Sequence, residues 1–141
     1  MIIPIRVLVC GGERSTDREA VFAALDGIAR DYAARVLPSV GAIHLTIIHA
    51  ARRTGVDPFA DEWATLRKVS VCEFPSSWRS SFAQRNQQMI AEGEPDVVLA
   101  FPGDRNALDM VARARRNGVR VVFASWPRRH VPRARLARER D

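Results

Sequence analysis

Five short apolar runs, rich in β-branched residues, alternate with stretches of helical spacing along this chain. That alternation limits the fold more than any other feature. The runs are 5–10, 43–48, 69–74, 96–101 and 119–124. Between the first two, Val21, Phe22, Leu25, Ile28 and Ala29 recur on one face of a helix. Phe59, Ala60, Trp63 and Leu66 mark a second helix; Phe82, Arg85, Met89 and Ile90 mark a third, over 81–91; a fourth runs from 106 to 117. The run Val97-Val98-Leu99-Ala100-Phe101 is apolar at both odd and even positions, as a strand covered on two faces should be. Strand–helix alternation of this kind predicts an α/β domain with a parallel sheet of about five strands and helices on both faces. A chain of 141 residues holds one such domain, not two. We expect the domain to span 1–125. A Pro/Arg-rich tail with no core-forming pattern, 126–141, is expected to be flexible.

Local signals set the boundaries. Thr16 and Glu19 have capping-box spacing. Asp57-Pro58 reads as an N-cap carboxylate followed by proline at the first helical position. Gly93-Glu94-Pro95 ends the third helix, and Gly118 is placed to be a left-handed C-cap of the fourth.

Composition excludes several classes. No apolar run approaches the roughly 18–20 residues that span a bilayer, so no membrane partner is expected. Met1 to Arg6 lacks a charged n-region, a long apolar h-region and a small-residue cleavage site, which predicts a cytoplasmic protein. Cys10 and Cys72 each lie inside a strand-like run, where a thiol is a small buried hydrophobe. Neither has a second cysteine or a histidine at ligand spacing, so no metal site and no cofactor are expected. The net charge of +6 is uneven: from Pro127 to Asp141 six arginines face two acids. The basicity is thus largely a property of the tail, and weak grounds for a nucleic-acid partner.

A three-layer, Rossmann-like arrangement binds ligands in a crevice outside the carboxyl ends of its strands. The loops after the first, second and fourth strands therefore carry the candidates. Gly11-Gly12 stands between a strand and a helix. Glycine admits positive φ and close approach of backbone amides to an anion, the helix amino end adds positive potential, and Arg14 adds a guanidinium fork. A plain tight turn explains the pair as well. Pro102-Gly103-Asp104-Arg105-Asn106 repeats the arrangement after the fourth strand. There the alternative is a left-handed turn that needs its glycine and nothing more, and Asp104 would repel a phosphate unless an arginine offsets it or it faces a ribose hydroxyl. Arg85 is four residues before Met89, on or beside the core-facing stripe of its helix, where an arginine usually needs an anionic partner. The alternatives are a snorkelling side chain or a local salt bridge. His49 ends the second strand; it could touch a phosphate or ribose, act as an acid–base group, or cap the strand structurally. Trp63, Trp78 and Phe82 could stack on a base, but at helical spacing they read as core. Glu62 points away from the Phe59/Trp63/Leu66 stripe and reads as solvated. No Walker lysine, HExxH, CxxC or complete GxGxxG is present.

Val7-Leu8-Val9-Cys10-Gly11-Gly12 with Thr16-Asp17-Arg18 resembles the opening of the YspA-like, YpsA-related branch of the SLOG superfamily, which also holds the LOG phosphoribohydrolases and DprA. The similarity continues through Ile47-Ile48-His49, Gly55-Val56-Asp57, Ala60 to Ala64, Arg85-Asn86, Met89, and Ala100-Phe101-Pro102-Gly103 to Asp109-Met110. The resemblance implies a seat for nucleotides or nucleotide-derived signals, with a phosphate held at Arg85 and the Pro102-Gly103 turn, and it makes a homodimer plausible. It also adds Asp57 and Asn86 to the candidate ligand-binding residues. The departures are specific. Ala50-Ala51-Arg52-Arg53-Thr54 stands where relatives are glycine-rich, and the turn lacks the family's Pro-Gly-Gly-x-Gly-Thr. Met110 replaces the glutamate of LOG enzymes and cannot do acid–base work, though methionine is common there in this branch.

Three functions are thereby set against each other. The first is binding or sensing of a nucleotide-type small molecule. The second is hydrolysis of an N-glycosidic or phosphate bond in a nucleotide, with His49 and Asp109 as possible acid–base groups and no catalytic residue assigned. The third is nucleic-acid binding through the arginine-rich tail and Arg113, Arg115 and Arg116, whose pattern a solvated helix face explains more simply.

Overall fold

A computed structural model describes residues 2–12, 17–36, 41–75, 77 and 79–124. Along the chain the elements are β1 (Ile2–Cys10), α1 (Arg18–Val36), β2 (Ala42–His49), α2 (Val56–Arg67), β3 (Ser70–Glu73), α3 (Phe82–Gly93), β4 (Val97–Ala100), α4 (Arg105–Arg116) and β5 (Arg120–Phe123). The five strands form one parallel sheet in the order β3-β2-β1-β4-β5.

The order follows from crossover chirality. Two crossovers carry the chain outward from β1 to β3; it then returns past β1 to β4 and continues to β5. Right-handed connections in opposite directions must lie on opposite faces. Accordingly α1 packs with α2 and α3 with α4. The pleat sorts the side chains to match. Ile5, Val7, Val9, Ile47, Val97 and Leu99 meet α1 and α2. Leu8, Ile48 and Val98 meet Met89, Ile90, Met110 and Ala114 on the other face. This is the three-layer arrangement the alternation predicts, and its topological switch point lies between β1 and β4.

β1 begins at Ile2, earlier than the apolar run suggests, because Pro4 is tolerated there. Arg6 exchanges main-chain and side-chain bonds with Asp96 on the β4 side. Pro4, two residues earlier, points the same way, but β4 joins β1 only from Val7. The missing N–H therefore removes no ladder bond.

Two helix starts differ from expectation. Thr16 lies outside the described residues; the Asp17 carboxylate accepts the Ala20 amide at 3.1 Å and caps α1. Asp57 is not the N-cap of α2. Gly55, at φ 84°, holds that position, and Asp57 and Pro58 are the second and third helical residues. Val56 is nearly fully buried, and seating it in the core goes with a helix start two residues earlier. Gly118, at φ 72°, follows α4 as expected, and Ser81 and Gln84 form a reciprocal capping box on α3 that was not singled out from the sequence.

Candidate functional site

The ends of β1 and β4 meet through glycines. A Cβ on Gly103 would lie 2.5 Å from the Gly12 nitrogen and 2.8 Å from the Ala107 Cβ; one on Gly12 would lie 2.9 Å from the Gly103 Cα. Gly12 N–H also donates to the Pro102 carbonyl at 3.4 Å. None of Gly11, Gly12 and Gly103 has positive φ. These glycines let two loops touch backbone to backbone, and the left-handed turn considered for Gly103 does not occur.

The amino end of α4 is already occupied by a carboxylate. Asp104 Oδ1 accepts the amides of Asn106 at 3.1 Å and Ala107 at 3.4 Å. Asp104 is thus the N-cap, neither facing a hydroxyl nor leaving those amides to an anion. Arg105, the next residue, is exposed, and Arg14 lies outside the described residues.

The cleft at this edge lies beside the glycine contact. Cys10, Ala50 and Arg52 wall it from the sheet side, with Asn86 and Met89 of α3 and Met110 of α4 opposite. It leaves ≈ 20 Å³, room for about one water molecule. Burial, then the Asp57 charge, pushes the Cys10 thiol up to about 12, so it stays protonated at neutral pH and is no nucleophile.

Arg85 is the anomaly of the site. It is 8 % exposed, and its Nε is buried with no hydrogen-bond partner among the described residues. Burial, then the charge of Arg52, pushes its guanidinium below the usual arginine value, while Asp57 opposes the shift. The sequence placed Arg85 beside the core-facing stripe; neither the snorkelling nor the salt-bridge alternative describes its Nε.

Asp57 is buried under the same edge. Its carboxylate accepts the Arg52 amide at 3.1 Å and also the Ala50 amide. Burial pushes its carboxyl up, and the loop amides and the Arg52 guanidinium offset part of this. Asn86, 2 % exposed, donates its amide nitrogen to Asn106 Oδ1 and Asp109 Oδ2, each at 2.9 Å. It ties α3 to the first turn of α4, and Asn106 is used in the same bond.

His49 faces the other layer. The Ala51 amide donates to its Nδ1 at 2.9 Å, so Nε2 carries the proton and donates it to Asp61 Oδ1, also at 2.9 Å. Both nitrogens are thus engaged, and the ring serves as a strand-end cap. Glu73 Oε1 lies 4.0 Å from Nε2, so His49, Asp61 and Glu73 have the proximity of a cation site. A metal on Nε2 would move the proton to Nδ1, against the Ala51 N–H, so hydrogen bonding suits this cluster and coordination does not. Asp109 stands on the opposite face of the sheet. Burial raises its carboxyl, but bonds from Arg113 and Asn86 outweigh this and hold it below the usual aspartate value.

Arg52 is the site residue that the sequence did not single out. Its Nη1 donates to the Gly11 carbonyl at 3.1 Å, and its Nη2 lies 3.8 Å from Asp104 Oδ2. One side chain from the loop after β2 thereby reaches both loops at the switch point. Trp63 is core, with Nε1 bonded to Asp26 at 2.9 Å. Phe82 is 41 % exposed. Trp78 and the tail lie outside the described residues. Glu62 is on the surface but paired with Arg18 at 2.9 Å. Among the described residues, no helix is long and apolar enough to cross a membrane.

The sequence matches the family model described as YspA, cpYpsA-related SLOG family over residues 5–80, more than half of the chain. The chain belongs to that SLOG family. The matched span carries β1 to β3 with the loops of Gly11 and Arg52; Arg85 and the Pro102–Gly103 turn of this SLOG domain lie beyond it. No curated protein matches the sequence. Among solved structures, a UDP-N-acetylglucosamine 2-epimerase is similar at 15 % identity and a TM-score of 0.41, over 85 % of this chain and 33 % of that one. A putative UDP-N-acetylglucosamine 2-epimerase from Listeria monocytogenes is similar at 12 % and 0.46, over 87 % and 30 %. A UDP-GlcNAc 2-epimerase from Neisseria meningitidis, bound to UDP-GlcNAc, is similar at 16 % and 0.42, over 87 % and 32 %. The chain spans about a third of the length of each.

Proposed function

We propose that this SLOG domain binds a nucleotide or a nucleotide-derived phosphate ligand in the cleft between the end of β1, the loop after β2, and α3. The observation that carries the reading is Arg85. A buried guanidinium with an unsatisfied Nε costs stability, and an anionic ligand that pairs with it recovers that cost. Arg85 is next to the cleft lining and not part of it: it stands one residue before Asn86 and four before Met89 on α3, and its charge is felt with those of Arg52 and Asp57. Binding without hydrolysis is the simpler chemistry for this cleft. Met110 forms part of its wall, the Cys10 thiol is protonated, and both His49 nitrogens are occupied. A cytoplasmic location belongs to the same reading and is consistent with two unpaired cysteines.

Thermal shift against nucleoside mono-, di- and cyclic phosphates and ADP-ribose tests the reading, with Arg85→Met alongside. A ligand at about 100 times its Kd adds roughly 2.7 kcal/mol, a rise of roughly 5–10 °C for a domain this size. Methionine keeps the aliphatic stem of the side chain and removes the guanidinium with its unsatisfied Nε. The expected result is an unliganded Tm equal to or above that of the parent, and no ligand-induced rise. A retained rise, or a lower unliganded Tm, would count Arg85 as structural and overturn the reading.

A further inference from the structure

We infer that His49 is a proton-operated catch for the loop after β2. Neutral, the ring holds Ala51 in place; on taking a proton at Nδ1 it releases that residue and loosens one wall of the cleft. The inference does not depend on what the cleft binds.

Three observations carry it. The first is the direction of the hydrogen bonds. A backbone amide can only donate, so the Ala51 N–H at 2.9 Å fixes Nδ1 as an acceptor. Nε2 then carries the ring's single proton and gives it to Asp61. A proton added at Nδ1 sets two donors face to face. Turning the ring over offers no escape, because both nitrogens of the cation carry protons. The residue is 2 % exposed, which leaves the conflict to be relieved by the loop.

The second is charge. Carboxylates face the ring from α2 and β3. Asp61 is at hydrogen-bond distance, Glu73 stands opposite His49 in the β2–β3 register with Oε1 4.0 Å from Nε2, and the Asp57 carboxyl feels the charge of the ring. Arg52 sets a positive charge against the same Asp57 carboxyl. β1 ends beside them in Val9, Cys10 and Gly11, and the thiol there is protonated. α1 brings Val21, Leu25 and Ile28 to this face, and Arg18 at its start is bonded to Glu62. Asp61 and Glu73 sit on α2 and β3 and stay when the loop moves. The cation is thus favoured by fixed acids and opposed by the amide of the loop.

The third is the conformation of Ala51. Its φ of 56° is left-handed, which a Cβ disfavours, so the residue leaves that conformation once its bond is lost. Asp57 holds the amides of Ala50 and Arg52 on either side, so the release is confined to a short stretch. Ala50 and Arg52 both line the cleft.

The sign follows. The closed loop needs a neutral ring, so the proton binds the released form better and acid favours release, by about ten-fold for each pH unit below the ring's midpoint in that form.

NMR of ¹⁵N-labelled protein from pH 8 to pH 5 tests this, with amide exchange corrected for its intrinsic pH dependence. At pH 8 the His49 ring should show the proton on Nε2. Protection of the Ala51 amide should then fall about ten-fold or more as the ring takes its second proton, while Val98 in the core keeps its protection. In His49→Asn, a side-chain oxygen takes the place of Nδ1 and cannot titrate, so Ala51 protection should stay flat. Asp61→Asn keeps an acceptor for Nε2 and removes one acid, so release should move to lower pH; this variant gives the same reading should His49→Asn fail to fold. A proton on Nδ1 at pH 8, a ring that stays neutral to pH 5, or Ala51 protection unchanged through its protonation would overturn the inference. So would an equal fall in His49→Asn, an unmoved midpoint in Asp61→Asn, or a parallel loss at Val98, which would make the release global unfolding.

Discussion

The two layers that cover the sheet are built differently. On the α1–α2 face, Val21, Leu25, Ile28, Ala60, Trp63 and Ala64 close over the odd-numbered positions of β1. Its polar contacts lie at the rim, where Asp26 takes Trp63 Nε1 and Arg67 and Arg18 meets Glu62, and at the carboxyl end, where the buried His49 and Asp57 are each hydrogen-bonded. On the α3–α4 face the apolar cluster is smaller, and Arg85 and Asn86 are buried beside its methionines. Both layers bury polar groups at the carboxyl end of the sheet, but His49 and Asp57 are hydrogen-bonded there, whereas Arg85 Nε on the α3–α4 side has no partner among the described residues. Such local violations are where function is expected to reside, since a fold selected for stability alone would remove them.

The largest test of this contrast is Trp63→Ala. It removes the biggest side chain of the α1–α2 core, and denaturant unfolding should show a loss of about 3–5 kcal/mol. A loss no greater than that of a surface substitution would mean that stability is not concentrated in that layer. Gly103→Ala should have a smaller effect, because the added Cβ meets backbone and the Ala107 Cβ, not a flexible side-chain tip. Overpacking of this kind costs about 1–3 kcal/mol and should appear as a lowered Tm. An unchanged Tm would show that the loops after β1 and β4 can part. The smallest effects come from the left-handed caps, one on each layer. Lys68, at φ 57°, ends α2, and Glu94, at φ 48°, ends α3. Glycine at either should add several tenths to about 1 kcal/mol by relieving the Cβ clash. Equal gains would show that the layers differ only in what they bury; a gain at Lys68 alone would extend the difference to their backbones.

Much of the fold was legible because alternation and helical spacing are properties of neighbours in sequence. The glycine after α4 and the two-faced run of β4 are read within a few residues. What was not legible depends on contacts across the fold. Asp57-Pro58 has the local signature of a helix start, but the burial of Val56 shifts the start, and Asp57 becomes the acceptor for the loop before it. His49 was placed at the ligand edge correctly as to level; the pleat, however, turns it toward Asp61 and away from the cleft. Gly12 and Gly103 read as seats for an anion because the sequence cannot show that each is the other's neighbour. Arg52 was read only as part of a loop that departs from its relatives, because a loop has no periodicity and its contacts with Gly11 and Asp104 exist only once β2 lies beside β1. The place of Arg85 beside the core-facing stripe is legible because its spacing from Met89 is local, whereas the unsatisfied Nε is a fact of the packed interior.

The contact between Gly12 and Gly103 also bears on how the molecule can breathe. Two loops in backbone contact move as one piece, because neither can shift without displacing the other or the first turn of α4. Any widening of the cleft is then a matter for the third loop, 50–55. That segment has a left-handed residue near each end, Ala51 at φ 56° and Gly55 at φ 84°. Its geometry is that of a short strap between two pivots, tied down by the Asp57 carboxylate, the His49 ring and the Arg52 side chain.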